Sequence, residues 1–210
     1  MKKLLLILLC LPFIGFGQNV NIPDSNFKAY LVGNTAINTN GDTEIQVSEA
    51  TPFAGSISCY GLGISDLTGI ESFTALTELN CNDNQLTSLD VTQNLALTDL
   101  NCTSNQLTSL DLSGATALTT FYCYYNQLTS LDVSTNLALD YLQCEGNQLT
   151  TLDVSQNLAL TYLRFKDNQL TSLDVSNNLA LTYLNCQNNQ LQSLDVSNNL
   201  ALTYLNCQNN

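Results

Sequence analysis

From Leu76 to Asn210 the chain restates one 21-residue phrase, marked by Leu76, Leu97, Leu118, Leu139, Leu160, Leu181 and Leu202. A fixed period of this length makes each phrase one coil of a solenoid. A single coil cannot bury its own apolar side chains, so stacked neighbours must do so and the core has no centre. Written from Leu97 the phrase reads LTDLNCTSNQLTSLDLSGATA, and from Leu160 it reads LTYLRFKDNQLTSLDVSNNLA. A looser 22-residue unit, Ala54 to Ala75, comes first, so residues 54–210 hold seven full repeats and a partial one. The chain stops inside a repeat without a closing cap, and on that ground it reads as C-terminally truncated.

The skeleton L-x-x-L-x-C-x-x-N-Q-L-x-x-L-D-V-S-x-N-x-A resembles the leucine-rich repeat, with cysteine in the third apolar slot. The first unit's text, LGISDLTGIESFTALTEL, is similar to the opening repeats of bacterial internalin-type proteins. The resemblance implies a parallel sheet on the concave face, with turns or short 3-10 segments on the convex side. It further implies a secreted protein like those of Bacteroidetes, many of which continue into a C-terminal sorting domain that this sequence does not contain.

Side chains alternate along a strand, so the apolar set of one coil is Leu97, Leu100, Cys102, Leu107, Leu110, Leu112 and Ala117. The cysteines at 81, 102, 123, 144, 186 and 207 then form an inward column of structural thiols, because in-register neighbours do not aim at one another as a disulfide requires. Phe165 replaces cysteine in one coil. The ninth position is always asparagine, from Asn84 to Asn210, and an inward amide ladder there would satisfy backbone groups at the strand's end. Asp90, Asp111, Asp132, Asp153, Asp174 and Asp195 form a second column, each followed two residues on by Ser or Thr, and are read as turn caps.

Residues 1–17, MKKLLLILLCLPFIGFG, read as a secretory signal: two lysines, a short apolar run, and Gly15 and Gly17 set two apart. That run is too short to span a bilayer, which takes roughly 20 residues. The protein is therefore expected outside the cell or on its surface, with no transmembrane segment. Without the signal, Lys28, Arg164 and Lys166 face 18 carboxylates, against a whole-chain formal charge of −13. Such a surface repels nucleic acid.

Residues 18–53 lack the repeat and are expected to cap the first coil, with a short helix from Ser25 to Val32 presenting Phe27, Tyr30 and Leu31. Inside the cap, residues 38–49 fit part of the EF-hand loop through Asn38, Asn40, Asp42, Glu44 by its carbonyl, Ile45 and Glu49. Asn38 stands where aspartate is usual and Thr43 where glycine is, so two readings remain open: a weak structural calcium site, or a polar loop rich in turns. No cofactor is required.

Strand positions facing away from the core are free of packing constraint, and function is sought there. Tyr122, Tyr124, Tyr125, Tyr141, Glu145, Tyr162, Arg164 and Lys166 gather in three consecutive coils, aromatic rings beside two rare cations. Tyrosine and arginine are the residues of binding hot spots, and tyrosine also stacks on sugars. The expected activity is recognition or adhesion, with an extracellular protein or glycan as partner and the chain itself a monomer. The alternative is a passive spacer without a ligand patch. An enzyme is not expected: the chain has no histidine and no Gly-rich phosphate loop.

Overall fold

The computed structural model describes residues 17–210, so the signal segment lies almost wholly outside the described residues. The cap opens with an antiparallel bridge between Asn19 and Gln46 and a helix, α1 (Ser25–Gly33). Asp24 is the N-cap, its carboxylate accepting from the backbone N–H groups of Asn26 and Phe27. The i, i+4 pair Phe27 and Leu31 is fully buried. A four-residue helix, α2 (Val47–Ala50), closes the cap.

Eight strands of three residues follow: β1 (Ser56–Ser58), β2 (Glu78–Asn80), β3 (Asp99–Asn101), β4 (Thr120–Tyr122), β5 (Tyr141–Gln143), β6 (Tyr162–Arg164), β7 (Tyr183–Asn185) and β8 (Tyr204–Asn206). They form one parallel sheet in sequence order, and the repeat keeps it in register, Leu79 on Leu100 on Phe121 on Leu142 and onward to Leu205. A single 3-10 turn (Ile70–Ser72) lies in the first, looser unit; the later coils return by turns. The sequence expected this leucine-rich-repeat solenoid, and the structure has it. Among the described residues no helix is long and apolar enough to cross a membrane.

The cap seats on the first coil through specific bonds as well as apolar cover. The Tyr30 hydroxyl accepts the Ser58 N–H of edge strand β1, and the second Asp24 oxygen accepts from the Ser65 N–H and hydroxyl. Burial pushes the Asp24 pKa up, but the bonds from Ser65, Phe27 and Asn26 outweigh it and hold the carboxyl below its usual value. Gly69, at φ 108°, lets the cap's first segment pass close: a Cβ there would stand 2.8 Å from Ile22 and 2.9 Å from the Asn21 carbonyl.

Two amide ladders run through the solenoid. Asn105 is typical of the first: its amide donates to the carbonyls of Cys81 and Cys102, and its oxygen accepts the Leu86 N–H. Asn126, Asn147, Asn168 and Asn189 repeat the pattern. The second ladder corrects the sequence reading. Ala117 is only half-buried and its equivalents Ala138 and Ala159 are exposed; the inward residue stands two places earlier. Asn94, Asn136, Asn157, Asn178 and Asn199 occupy that place, each donating to two carbonyls of the coil before, as Asn157 does to Val133 and Asn136. Ala115 interrupts this ladder, beside Gly114, where a Cβ would fall 1.8 Å from the Thr92 carbonyl oxygen.

All seven cysteines from Cys59 onward are free thiols, and only Cys207 is exposed. Burial pushes Cys59 and Cys102 up to about 12, so they behave as small core hydrophobes. Phe165 fits the same column fully buried.

Candidate ligand-binding face

The solvent face of the sheet carries three rows of side chains. The first holds the tyrosines. Tyr141, Tyr162, Tyr183 and Tyr204 stack nearly parallel, with centroids 4.1, 4.1 and 4.3 Å apart and interplanar angles of 9°, 7° and 2°. Tyr122 tilts against Tyr141 at 5.3 Å and 50°. In-register parallel strands about 4.8 Å apart place identical side chains one above another, and flat rings close that spacing by stacking. Gln143 donates to the hydroxyls of Tyr141 and Tyr162, tying the row together. Burial first, then the neighbouring Tyr162 hydroxyl, push the Tyr141 pKa well up, so the Tyr141 hydroxyl keeps its proton at ordinary pH. Tyr183 and Tyr204 belong to this row although the patch expected from sequence stopped at Tyr162; the 21-residue recurrence of tyrosine was the signal for them.

The cations are already engaged. Arg164 lies 3.2 Å from Glu145, and Lys166 lies 3.2 Å from its neighbour Asp167. Glu145 is only 3% exposed, and its second oxygen has no hydrogen-bond partner. Burial pushes the Glu145 pKa up while Arg164 and Lys166 pull against it. The patch predicted from sequence therefore divides in three. Tyr141 and Tyr162 stack, Glu145 with Arg164 forms a half-buried pair, and Tyr124 with Tyr125 leaves the strand and sits in the following turn. Tyr122 joins the stack to a hollow of about 300 Å³ lined by Ser56, Ser58, Glu78, Asn80, Asp99 and Asn101. That end of the face is acidic.

In the cap loop, Glu49 accepts at one oxygen from the Thr39 N–H, the Thr39 hydroxyl and the Asn40 N–H, and at the other from the Gln46 N–H. These bonds outweigh burial and hold its pKa down. Asp42 accepts from Glu44, Asn40 and Gln46; the Asn38 oxygen accepts from Gly41; and the Glu44 carboxylate pairs with Lys28 at 2.6 Å. The loop thus turns its oxygens on its own N–H groups. Among the described residues no three acidic, cysteine or histidine side chains are grouped to hold a metal ion.

On the far side of the coil, the aspartate column does what its turns require. One oxygen of Asp111, Asp132, Asp153, Asp174 and Asp195 accepts the N–H of the serine two residues on, at 2.8–2.9 Å.

An in-register parallel sheet of 21-residue coils, laddered by asparagine and cysteine, defines a leucine-rich-repeat solenoid, and its repeats are internalin-like. No family model matches the chain. Internalin J of Listeria monocytogenes serotype 4b (strain F2365) is 39% identical over 73 residues, which are 34% of this chain and 8% of that protein. The solved functional domain of internalin J from Listeria monocytogenes, described as including a cysteine ladder, is similar at TM-score 0.73 and 39% identity, over 90% of this chain and 47% of that one. An internalin C2 from Listeria monocytogenes strain 4b F2365 shares the fold at TM-score 0.57 and 22% identity, over 90% of this chain and 97% of that one. The chain spans less than half of the internalin J domain.

Proposed function

We propose that the protein is an exported, surface-exposed recognition module that holds an extracellular protein or glycan on the concave face of its sheet and catalyses nothing. The observation that carries this reading is the tyrosine row. Four rings stacked in a row, each 4.1–4.3 Å from the next, make an amphipathic surface that is already ordered, at little entropic cost on binding. The likeness to internalin J supports an interaction role, and the MKKLLLILL start supports export. Calcium, if it binds the cap loop, has to displace the hydrogen bonds that now hold Glu49 and Asp42, so its binding is weak and its role is confined to the cap.

The spacer reading also has an observation in its favour: the stacked rings cover one another, and LTYLNCQNN recurs unchanged at 181–189 and 202–210. Binding to a glycan array and an extracellular-protein panel, with calcium or chelator, separates the two. Retention of a partner that is lost in Tyr141→Ala/Tyr162→Ala supports recognition. A folded chain that captures nothing, or whose capture ignores the double variant, supports the spacer.

A further inference from the structure

Two residues after the inward column of cysteines and Phe165, each 21-residue coil turns left-handed. The column is Asp83, Ser104, Tyr125, Gly146, Asp167, Asn188 and Asn209, with φ from 52° to 62°. Asp, Asn and Gly accept this conformation readily, whereas a bulky side chain does so at a cost. Tyr125, at φ 55°, is the exception. In the next coil the same position is Gly146, the one glycine among the 21-residue coils' members of the column, and a Cβ there would stand 2.5 Å from the Tyr125 ring. Any other residue of the column would displace that ring. Two departures from the repeat, in adjacent coils, therefore fit each other.

The ring is seated, yet it is not buried. Gly146 lies under it and Tyr124 meets it edge to face at 5.4 Å and 80°, while Tyr125 remains 52% exposed. This distinguishes it from Tyr162 and Tyr183, which have a ring stacked on each side. The Tyr125 N–H donates to the carbonyl of Glu145, so the ledge is fastened to the residue whose buried carboxylate oxygen lacks a partner. Two places further along the coils, Gln106, Gln127 and Gln148 are exposed. A strained residue with an exposed aromatic ring, close in the chain to an exposed amide at Gln127, is the kind of local cost that persists where it is used.

We propose that Tyr125, seated on Gly146, is a sugar-stacking ledge that takes one neutral pyranose of a glycan on its open face. The proposal rests on the recognition reading and names its ligand class. The chemistry favours a sugar over a protein knob because the apolar surface is small, the Tyr125 ring with Tyr124 against it, whereas protein hot spots need a wider desolvated cluster. A pyranose offers one C–H face to a tyrosine and hydroxyls to exposed amides such as Gln127. A chain of formal charge −13 disfavours uronates, so the sugar is neutral.

The test titrates the full chain with cellotriose, mannotriose, chitotriose and trigalacturonate. Tyrosine emission and ring NMR signals report binding, and there is no tryptophan to mask them. At least one neutral trisaccharide is expected to saturate the signal, with affinity lost at least tenfold in Tyr125→Asn and kept within threefold in Tyr125→Phe. Asparagine already occupies this position at Asn188 and Asn209, so Tyr125→Asn is expected to melt no lower than the parent. Any of four results overturns the proposal: no neutral trisaccharide binds, only the uronate binds, affinity is unchanged in Tyr125→Asn, or that variant melts several degrees lower and so marks Tyr125 as a packing residue. A protein partner lost in Tyr141→Ala/Tyr162→Ala and indifferent to Tyr125→Asn, with no trisaccharide bound, keeps the recognition reading and removes the ledge.

Discussion

A single asparagine amide in the first ladder closes three backbone bonds at once. Asn147 donates to the Cys123 and Cys144 carbonyls and accepts the Leu128 N–H, all buried. Asn147→Ala leaves those groups without partners where water does not reach. With a cost of about 1–3 kcal/mol per orphaned group and partial relaxation, the expected loss is about 3 kcal/mol by urea unfolding. A loss below about 1 kcal/mol would show that the ladder is ornamental. The ladder was legible in the sequence because asparagine never varies at that position. The second ladder was not, because Ala117 looked apolar and was assigned to the interior; only the backbone path shows that the amide two places earlier turns in and the alanine out. The strained turn was half legible. Asp, Gly and Asn in one column spell a left-handed residue, and Tyr125 conceals it.

At the scale of an element, the aspartate turns set the response to acid. The serine bonds hold Asp111, Asp132, Asp153, Asp174 and Asp195 below their usual pKa, against some repulsion from neighbouring carboxylates in Asp111, Asp153 and Asp195. A carboxyl whose folded pKa is depressed stabilises the fold above its unfolded value near 3.8, and that contribution disappears as pH falls through the folded value. Glu145 works the other way: its raised pKa makes its ionised form costly, and acid relieves that cost. The carboxyls held down outnumber it, so melting temperature is expected to drop below about pH 4. In Asp132→Asn/Asp153→Asn/Asp174→Asn, asparagine keeps the accepting oxygen but has no charge to lose. The triple variant is therefore expected to show a flatter melting profile between pH 5 and 2, starting from a somewhat lower melting temperature at pH 7 because the charge's contribution is absent. Asp24 and Glu49 in the cap, together with Asp111, Asp167 and Asp195, supply the remaining acid sensitivity. An unchanged acid slope would remove the turns from the account.

For the whole molecule, the repeat makes coils exchangeable and the cap indispensable. Leu181–Ala201 and the segment from Leu202 begin with the same nine residues, so deleting 181–201 joins Ala180 to Leu202 with every ladder contact rebuilt from identical side chains. One coil's worth of nearest-neighbour stacking is lost, and the chain is expected to stay folded with a melting temperature only a few degrees lower. The cap has no such substitute. Phe27, Leu31, Ile37 and Ile45 are fully buried in one cluster with Ile57, Cys59 and Ile64, and Tyr30 and Asp24 hold backbone groups of the first coil. Deleting residues 18–53 exposes that apolar end together with the open edge of β1, and edges of this kind pair with other chains. Circular dichroism and light scattering distinguish the outcomes: the coil deletion is expected to give a folded, monodisperse protein, and the cap deletion an unfolded or aggregated one. A cap deletion that remained folded and monodisperse would mean that stacking of the 21-residue coils alone sustains the solenoid, and that the cap's contacts with β1 add only local order.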